Sequence, residues 1–338
     1  HDESGSRERL RADTRSATLQ TSRLMETTLT KSGSSVKARG RSRRRPSTLP
    51  LHLMLLPAVI LTLVFKYWPM FGVVIAFQDF TPVRGVWNSE FVGLDNFRFA
   101  FQLPGTERVI WNTLTIAVGK IVLGLIVPLI VALMLNEMVR TGLKRTVQTA
   151  VYLPHFLSWV ILGGIMIKIL SPSQGIVNQG LNALGFDSIY FLGDNTWFPP
   201  TLIVSHVWKE FGFNTVIYLA ALTSIDPALY EAARVDGASR VRQALDITIP
   251  GIRAIIVLLA TLSLGSVLDA GFEQVLVLYS PQVYESGDII DTMVYRMGLI
   301  EAQYSVATAI GLCKSIVSLI LIATAYWMAY RFAKYRIF

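Results

Sequence analysis

Reactive side chains are sparse in this chain and badly spaced for catalysis. The four histidines, His1, His52, His155 and His206, form no close pair. No His-Glu-x-x-His arrangement is present to place two imidazoles on one helix face. The single cysteine, Cys313, excludes an internal disulfide framework, and no Cys/His spacing suits zinc. Lys314-Ser315 has Cys313 where a phosphate-cradling Gly-rich loop needs glycine, so any ATP chemistry belongs to another chain. No catalytic residue, metal or cofactor is expected here. The informative groups are cations in apolar runs, Lys120, Lys209 and Lys314, because a charge at membrane depth is costly and faces a cavity or a partner.

The elements that must position these lysines follow from composition. Of 338 residues, 52% are hydrophobic and 16% charged, against roughly 25% charged in a soluble domain. A water-soluble globule is excluded, and the absence of strand alternation argues against a barrel. The reading is an all-α integral membrane protein with six spans at about 51–77, 110–137, 149–170, 200–224, 251–277 and 304–330. Pro57, Pro128 and Pro154 are expected to kink these helices rather than break them. The first apolar run begins at Leu51, too far in for a cleavable signal peptide. Residues 1–50 hold 12 Lys/Arg and 5 Asp/Glu without apolar periodicity and are expected to be a disordered tail ahead of a 51–338 transmembrane domain.

Charge sets the orientation. The tail, the 138–148 and 225–250 loops and the C-terminal end together carry 21 Lys/Arg, against 4 in the alternate segments. The positive side is cytoplasmic, which puts both termini there and makes the protein multi-pass. The opposite loops are longer, and 182–191 is expected to form a short interfacial helix. Taking the outer ends of spans two, four and six at Ile110, Pro200 and Ser305, the three lysines lie at one depth, roughly 14 Å inward. A shared depth suits a positively lined cavity for an anionic cargo. The alternative is internal pairing, with Glu210 beside Lys209 and with Asp269 and Glu273 on span five. Asn214, Tyr218 and Gln274 could bond or stack on sugar rings, though each is also an ordinary packing residue. Gly163-Gly164, Gly265 and Gly271 are small positions where helices can approach closely.

Residues 226–250 show the clearest local logic. Asp226 before Pro227 is a helix start, Gly237 can take the left-handed conformation that ends a helix at about 236, and Ser239 can cap a second helix running to about Leu245. Ala232 and Ala233 permit close approach, while Leu229, Val235, Val241 and Leu245 offer apolar contacts. The result is a helix-turn-helix built to dock.

The order Glu231-Ala232-Ala233, Asp236-Gly237-Ala238, then Ile247, Ile249 and Pro250 resembles the Glu-Ala-Ala signature of permease subunits of binding-protein-dependent (type I) ABC importers. That resemblance implies the type I permease fold, with these two helices as the cytoplasmic coupling helix pair between spans four and five, held by the ATPase. Glu231 would be the acidic contact, Ala232 and Ala233 the close-packed surface, Asp236 a helix-end contact, Gly237 the bend and Pro250 the opening of span five. Lys66-Tyr-Trp-Pro69, Ile75-Ala-Phe-Gln-Asp-Phe80, Val92-Gly-Leu-Asp-Asn-Phe97, Asn112-Thr-Leu114, Gly271-Phe-Glu-Gln-Val275 and Tyr295-Arg-Met-Gly-Leu299 look like the complex- and acidic-saccharide importers, alginate and pectin types included.

The resemblance further implies a second permease subunit, two ATPase subunits that hold ATP and Mg, an extracytoplasmic saccharide-binding protein, and a bacterial inner membrane with its lipid; no nucleic acid partner is expected. The substrate-pathway candidates are Lys120, Lys209, Asn214, Tyr218, Glu273, Gln274 and Lys314. Importers of a neutral oligosaccharide or another small solute share the loop signature and remain open. An intramembrane enzyme lacks paired ligands, and an ion channel lacks a filter-like loop.

Overall fold

The computed structural model describes residues 49–138 and 140–333. The expected basic tail lies almost entirely outside them. The chain divides into two units at Thr62/Leu63. In the first, α1 (Leu49–Thr62) is an apolar helix with Pro57 inside it.

The second unit is dominated by long apolar helices whose few polar groups bond to one another. Trp68–Phe77 forms a 3-10 segment that leads to β1 (Gln78–Asp79), which pairs antiparallel with β2 (Glu90–Phe91). This two-residue ladder is a local addition to a mostly helical fold: Asn96 donates to the carbonyls of Ala76 and Gln78 and fixes the strand's approach. After α2 (Asp95–Gln102), α3 (Thr106–Asn136) runs unbroken through Pro128. Thr215 on the neighbouring helix donates to the Pro128 carbonyl at 3.4 Å.

The 149–170 span is not one helix. Residues Thr141–Phe156, opening with α4 (Thr141–Tyr152), and α5 (Trp159–Ile169) meet at 103°. Pro154 sits in the short 3-10 turn before the bend, and Ser158 caps the new helix by accepting from the Ile161 amide. A proline that cannot donate, followed by a fresh N-cap, makes a break where a kink was expected. The short helix of this region is α6 (Ile176–Ala183) rather than 182–191, and Leu184 and Gly185 end it.

Helix α7 (Phe198–Leu222) packs along α3. A side chain at Gly119 would meet the Ile203 side chain at 2.5 Å, so glycine leaves room for Ile203 between the two helices. Below it come α8 (Pro227–Val235) and α9 (Arg240–Gln243). The 251–277 span is also interrupted: α10 (Arg253–Leu264) ends in turns, and α11 (Phe272–Leu278) restarts from Gly271 at φ +88°. That left-handed backbone suits glycine and cannot continue a helix. A short α12 (Ile290–Tyr295) precedes α13 (Tyr304–Ala333).

Among the described residues, His52–Phe77, Thr106–Asn136 and Tyr304–Met328 are long and apolar enough to cross a membrane, and two bent pairs, Thr141–Phe156 with Trp159–Ile169 and Arg240–Gly251 with Arg253–Leu264 (64°), would raise the number to five. Helix α7 carries His206, Lys209 and Glu210 and is too polar to join them by composition alone. The main core joins Ile116, Phe198, Leu202, Ala270, Val275 and Leu278, where α3, α7 and the broken segment meet. Non-helical backbone at such depth is tolerated only when buried in protein or facing a watery cavity.

Candidate functional site

The 226–250 loop folds by local capping. The Asp226 carboxylate accepts the Ala228 amide at 2.9 Å, and Pro227 fills the first helical position. Helix α8 ends with the Ala238 amide on the Ala233 carbonyl and the Gly237 amide on the Arg234 carbonyl, with Gly237 at φ +76°. That double closure satisfies carbonyls the helix would leave bare. Ser239 then accepts the Arg242 amide and starts α9.

Two ties hold this helix-turn-helix to the helices above it. The Tyr230 hydroxyl meets the Thr248 hydroxyl at 3.0 Å, and Arg240 reaches Glu137, just past α3, at 2.9 Å. A cavity of about 570 Å³ lies between residues 136–138 and the loop.

What the loop shows outward is apolar, with charges of both signs, Arg234 included. Val235 is 88% exposed and Val241 70%, with Leu229 and Leu245 also exposed. Glu231, Ala232, Asp236 and Pro250 are exposed and Ala233 is half-buried. Glu231 holds no ion pair with any described residue, whereas Arg240 and Arg242 are paired to Glu137 and Asp246. Apolar side chains left this open suit a protein contact.

The three lysines among the intramembrane candidates hold separate partners. Lys120 is buried, and its ammonium donates to the Ala270 carbonyl and to Gln274 Oε1. Gln274, fully buried, donates in turn to the Leu202 carbonyl and to Ser205 Oγ, both at 2.8 Å. Lys209, also buried, donates to the His155 carbonyl at 2.8 Å and to Glu210 at 3.0 Å. Lys314 pairs with Asp291 and borders a small apolar cavity of about 130 Å³. Tyr218 is buried, its hydroxyl 3.3 Å from the Leu125 carbonyl. Asn214 is half-buried and Glu273 exposed, and neither holds a side-chain hydrogen bond among the described residues. Gly163 and Gly265 are close-approach points within the chain, against Val277 and Ile322.

Sequence reasoning missed three partners. His155 bonds Glu210 at 2.7 Å and stacks on Phe213 at 4.2 Å. Asp291 is the counter-charge of Lys314. Buried Asp288 pairs with Arg296 at 2.6 Å, and that bond raises the guanidinium pKa above its ordinary value. Pro154, beside His155, was the available signal for the first. For the other two, nothing local in sequence marks the pairing.

With this geometry in view, the comparisons are direct. Residues 124–335 match the family described as binding-protein-dependent transport system inner membrane component. The chain is 43% identical over 282 residues to Protein LplB of Bacillus subtilis (strain 168), covering 83% of this chain and 89% of that one. It is 43% identical over 284 residues to the polygalacturonan/rhamnogalacturonan transport system permease protein YteP of the same organism, covering 84% and 88%. A solved bacterial ABC transporter involved in import of the acidic polysaccharide alginate contains a chain that superimposes with a TM-score of 0.78 at 43% identity, covering 84% of this chain and 96% of that one. A second structure, of a bacterial alginate ABC transporter in complex with an alginate pentasaccharide-bound periplasmic protein, gives 0.78 at 42% identity, covering 86% and 97%. A type I permease fold and a family match over most of the chain agree: this chain belongs to the binding-protein-dependent transport system inner membrane components, and is a transport subunit rather than an enzyme.

Proposed function

We propose that this chain is one transmembrane permease subunit of an ATP-driven ABC importer for acidic oligo- or polysaccharide of the alginate or pectin type. The observation that carries the reading is the 43% identity, over nearly the whole body, to a chain of a transporter that imports alginate. The similarity to a polygalacturonan/rhamnogalacturonan permease supports the same chemical class, uronate-bearing polymer.

In this reading the chain crosses the bacterial inner membrane six times with both termini cytoplasmic. Helix α7 is the fourth span, its charges neutralised by Lys209–Glu210 and His155; the bent pair Thr141–Phe156 and Trp159–Ile169 is the third, and α10 continued by α11 is the fifth. The 226–250 loop is the coupling element. Glu231 and Asp236 meet the ATPase, Ala232 and Ala233 allow close contact, Gly237 makes the bend and Pro250 leads into span five. ATP and Mg are held by two ATPase subunits, and an extracytoplasmic binding protein delivers cargo to this chain and a second permease. Closure of the ATPase dimer draws the coupling elements together, and the spans exchange inward for outward access. Of the pathway candidates, Asn214 and Glu273 keep free polar atoms and are assigned to the pathway. Lys120, Lys209, Tyr218, Gln274 and Lys314 already hold partners and are assigned to helix positioning.

The test is ATPase activity of the full complex in proteoliposomes, with the binding protein preloaded with a uronate oligosaccharide or with a neutral one of equal length. Stimulation by the uronate alone supports the assignment. Stimulation by the neutral sugar alone assigns a neutral cargo.

A further inference from the structure

We propose that Lys120 and Lys209 are positioning residues that pin the two broken spans to one rigid helix pair, so that motion of the coupling loop reaches the breaks. This inference rests on the importer reading above.

The two lysines do the same thing in two places. Lys120, on α3, donates to the Ala270 carbonyl, next to the restart of the fifth-span segment at Gly271. Lys209, on α7, donates to the His155 carbonyl, inside the turn that breaks the third-span segment. Each break frees carbonyls that a continuous helix would have bonded, and each lysine supplies a charged donor to one of them. Both side chains are buried, 5% and 7% exposed. Both have a second acceptor, Gln274 and Glu210, which fixes their direction. A side chain added at Gly271 would stand 2.9 Å from the Lys120 ammonium, so the backbone of the break lies directly against it.

The helices that carry the pins are locked together. Ile203 fills the space at Gly119, Thr215 bonds the Pro128 carbonyl, and the Tyr218 hydroxyl bonds the Leu125 carbonyl. The same pair carries the coupling loop at its far end: α7 runs into Asp226, and Glu137 after α3 bonds Arg240. A displacement at the loop therefore has a contiguous path of packed and hydrogen-bonded groups to both breaks.

The experiment uses the complete complex in proteoliposomes with its loaded binding protein. Lys120→Met and Lys209→Met should each lower saccharide transported per ATP hydrolysed by about tenfold, in proportion to loss of one charge-assisted hydrogen bond. The KM for the loaded binding protein should stay at the wild-type value, and Lys209→Arg should restore part of the ratio. A raised KM with an unchanged transport-to-ATP ratio would make the lysines cargo contacts and overturn the proposal.

A second measurement does not depend on the variants folding. Spin labels at Val118 and Ser266, both exposed, report the distance across the Lys120 pin in the wild-type complex. That distance should be unchanged between nucleotide-free and ATP-trapped states, and a shift of about 5 Å, one helical turn, overturns the pin. If the wild-type complex moves no saccharide at all, the importer reading has failed, and the label distances still decide the pin.

Discussion

Tyr230 and Thr248, eighteen residues apart, share a hydroxyl–hydroxyl hydrogen bond of 3.0 Å that ties α8 to the backbone leading into α10. Thr248 is buried and also reaches the Gln243 carbonyl, so the bond anchors α8 to a fixed point. Tyr230→Phe removes that link and nothing else. The expected result is a loss of about 1 kcal/mol in local stability, read as faster amide hydrogen exchange across 227–243 with the rest of the chain unchanged.

Gly237 stands at φ +76° with open space around it. Gly237→Ala should therefore cost about 1 to 2 kcal/mol through backbone strain alone, and Gly237→Pro more, since it also deletes the amide that closes α8 on Arg234. Both variants should assemble into the membrane and lose binding-protein-stimulated ATPase, proline more than alanine. Wild-type stimulation in Gly237→Pro would remove the loop from coupling.

Charge at Glu231 gives a separable outcome, because its side chain is exposed and makes no ion pair within the described chain. Glu231→Lys should leave thermal stability within about 0.5 kcal/mol of wild type while uncoupling ATP hydrolysis from transport. A matched loss of stability and activity would place the residue in folding instead.

At Gly212, a side chain would fall 1.9 Å from the Val151 carbonyl carried by the broken third-span segment. That contact is with backbone and cannot be relieved by a rotamer change. Gly212→Ala should lower the yield of folded permease, measured by size-exclusion of the detergent-solubilised complex, whereas Gly124→Ala, where nothing lies within 4 Å, should not.

These predictions divide along the line between what sequence could and could not show. The capping of α8 and α9 was readable because Asp226 and Ser239 accept amides two and three residues on, and the Gly237 amide donates to a carbonyl three residues back. The lysines were readable as costly charges, but their partners were not. Lys120 bonds a carbonyl 150 residues on, Lys209 one 54 residues back, and Lys314 a carboxylate 23 residues back. Equal depth along three helices fixes height and leaves azimuth open, so it suggested a common cavity where packing produced separate pairs. The two broken spans were hidden for a related reason. Hydropathy averages over Pro154 and Gly271, and only the donors waiting at each break make interruption affordable in an apolar interior.

Arg296 offers a stability test away from the 226–250 loop. Asp288 is buried, bonded by Arg296 and by Thr292, and its carbonyl accepts from Asn112 on α3. Arg296→Met would leave the carboxylate without its counter-charge, which should destabilise the 279–300 segment by on the order of 3 kcal/mol. Asp288→Asn with Arg296→Met together should recover part of that loss, as measured by thermal unfolding of the assembled complex.

The most direct test of the central assignment is ATP-dependent accumulation of a labelled uronate oligosaccharide inside proteoliposomes that contain this chain, its partner permease, the ATPases and the binding protein. Uptake of the uronate that requires ATP and exceeds uptake of a neutral oligosaccharide of equal length is the result expected of an acidic-saccharide importer. Equal or greater uptake of the neutral sugar, or uptake of the uronate independent of ATP, would contradict it.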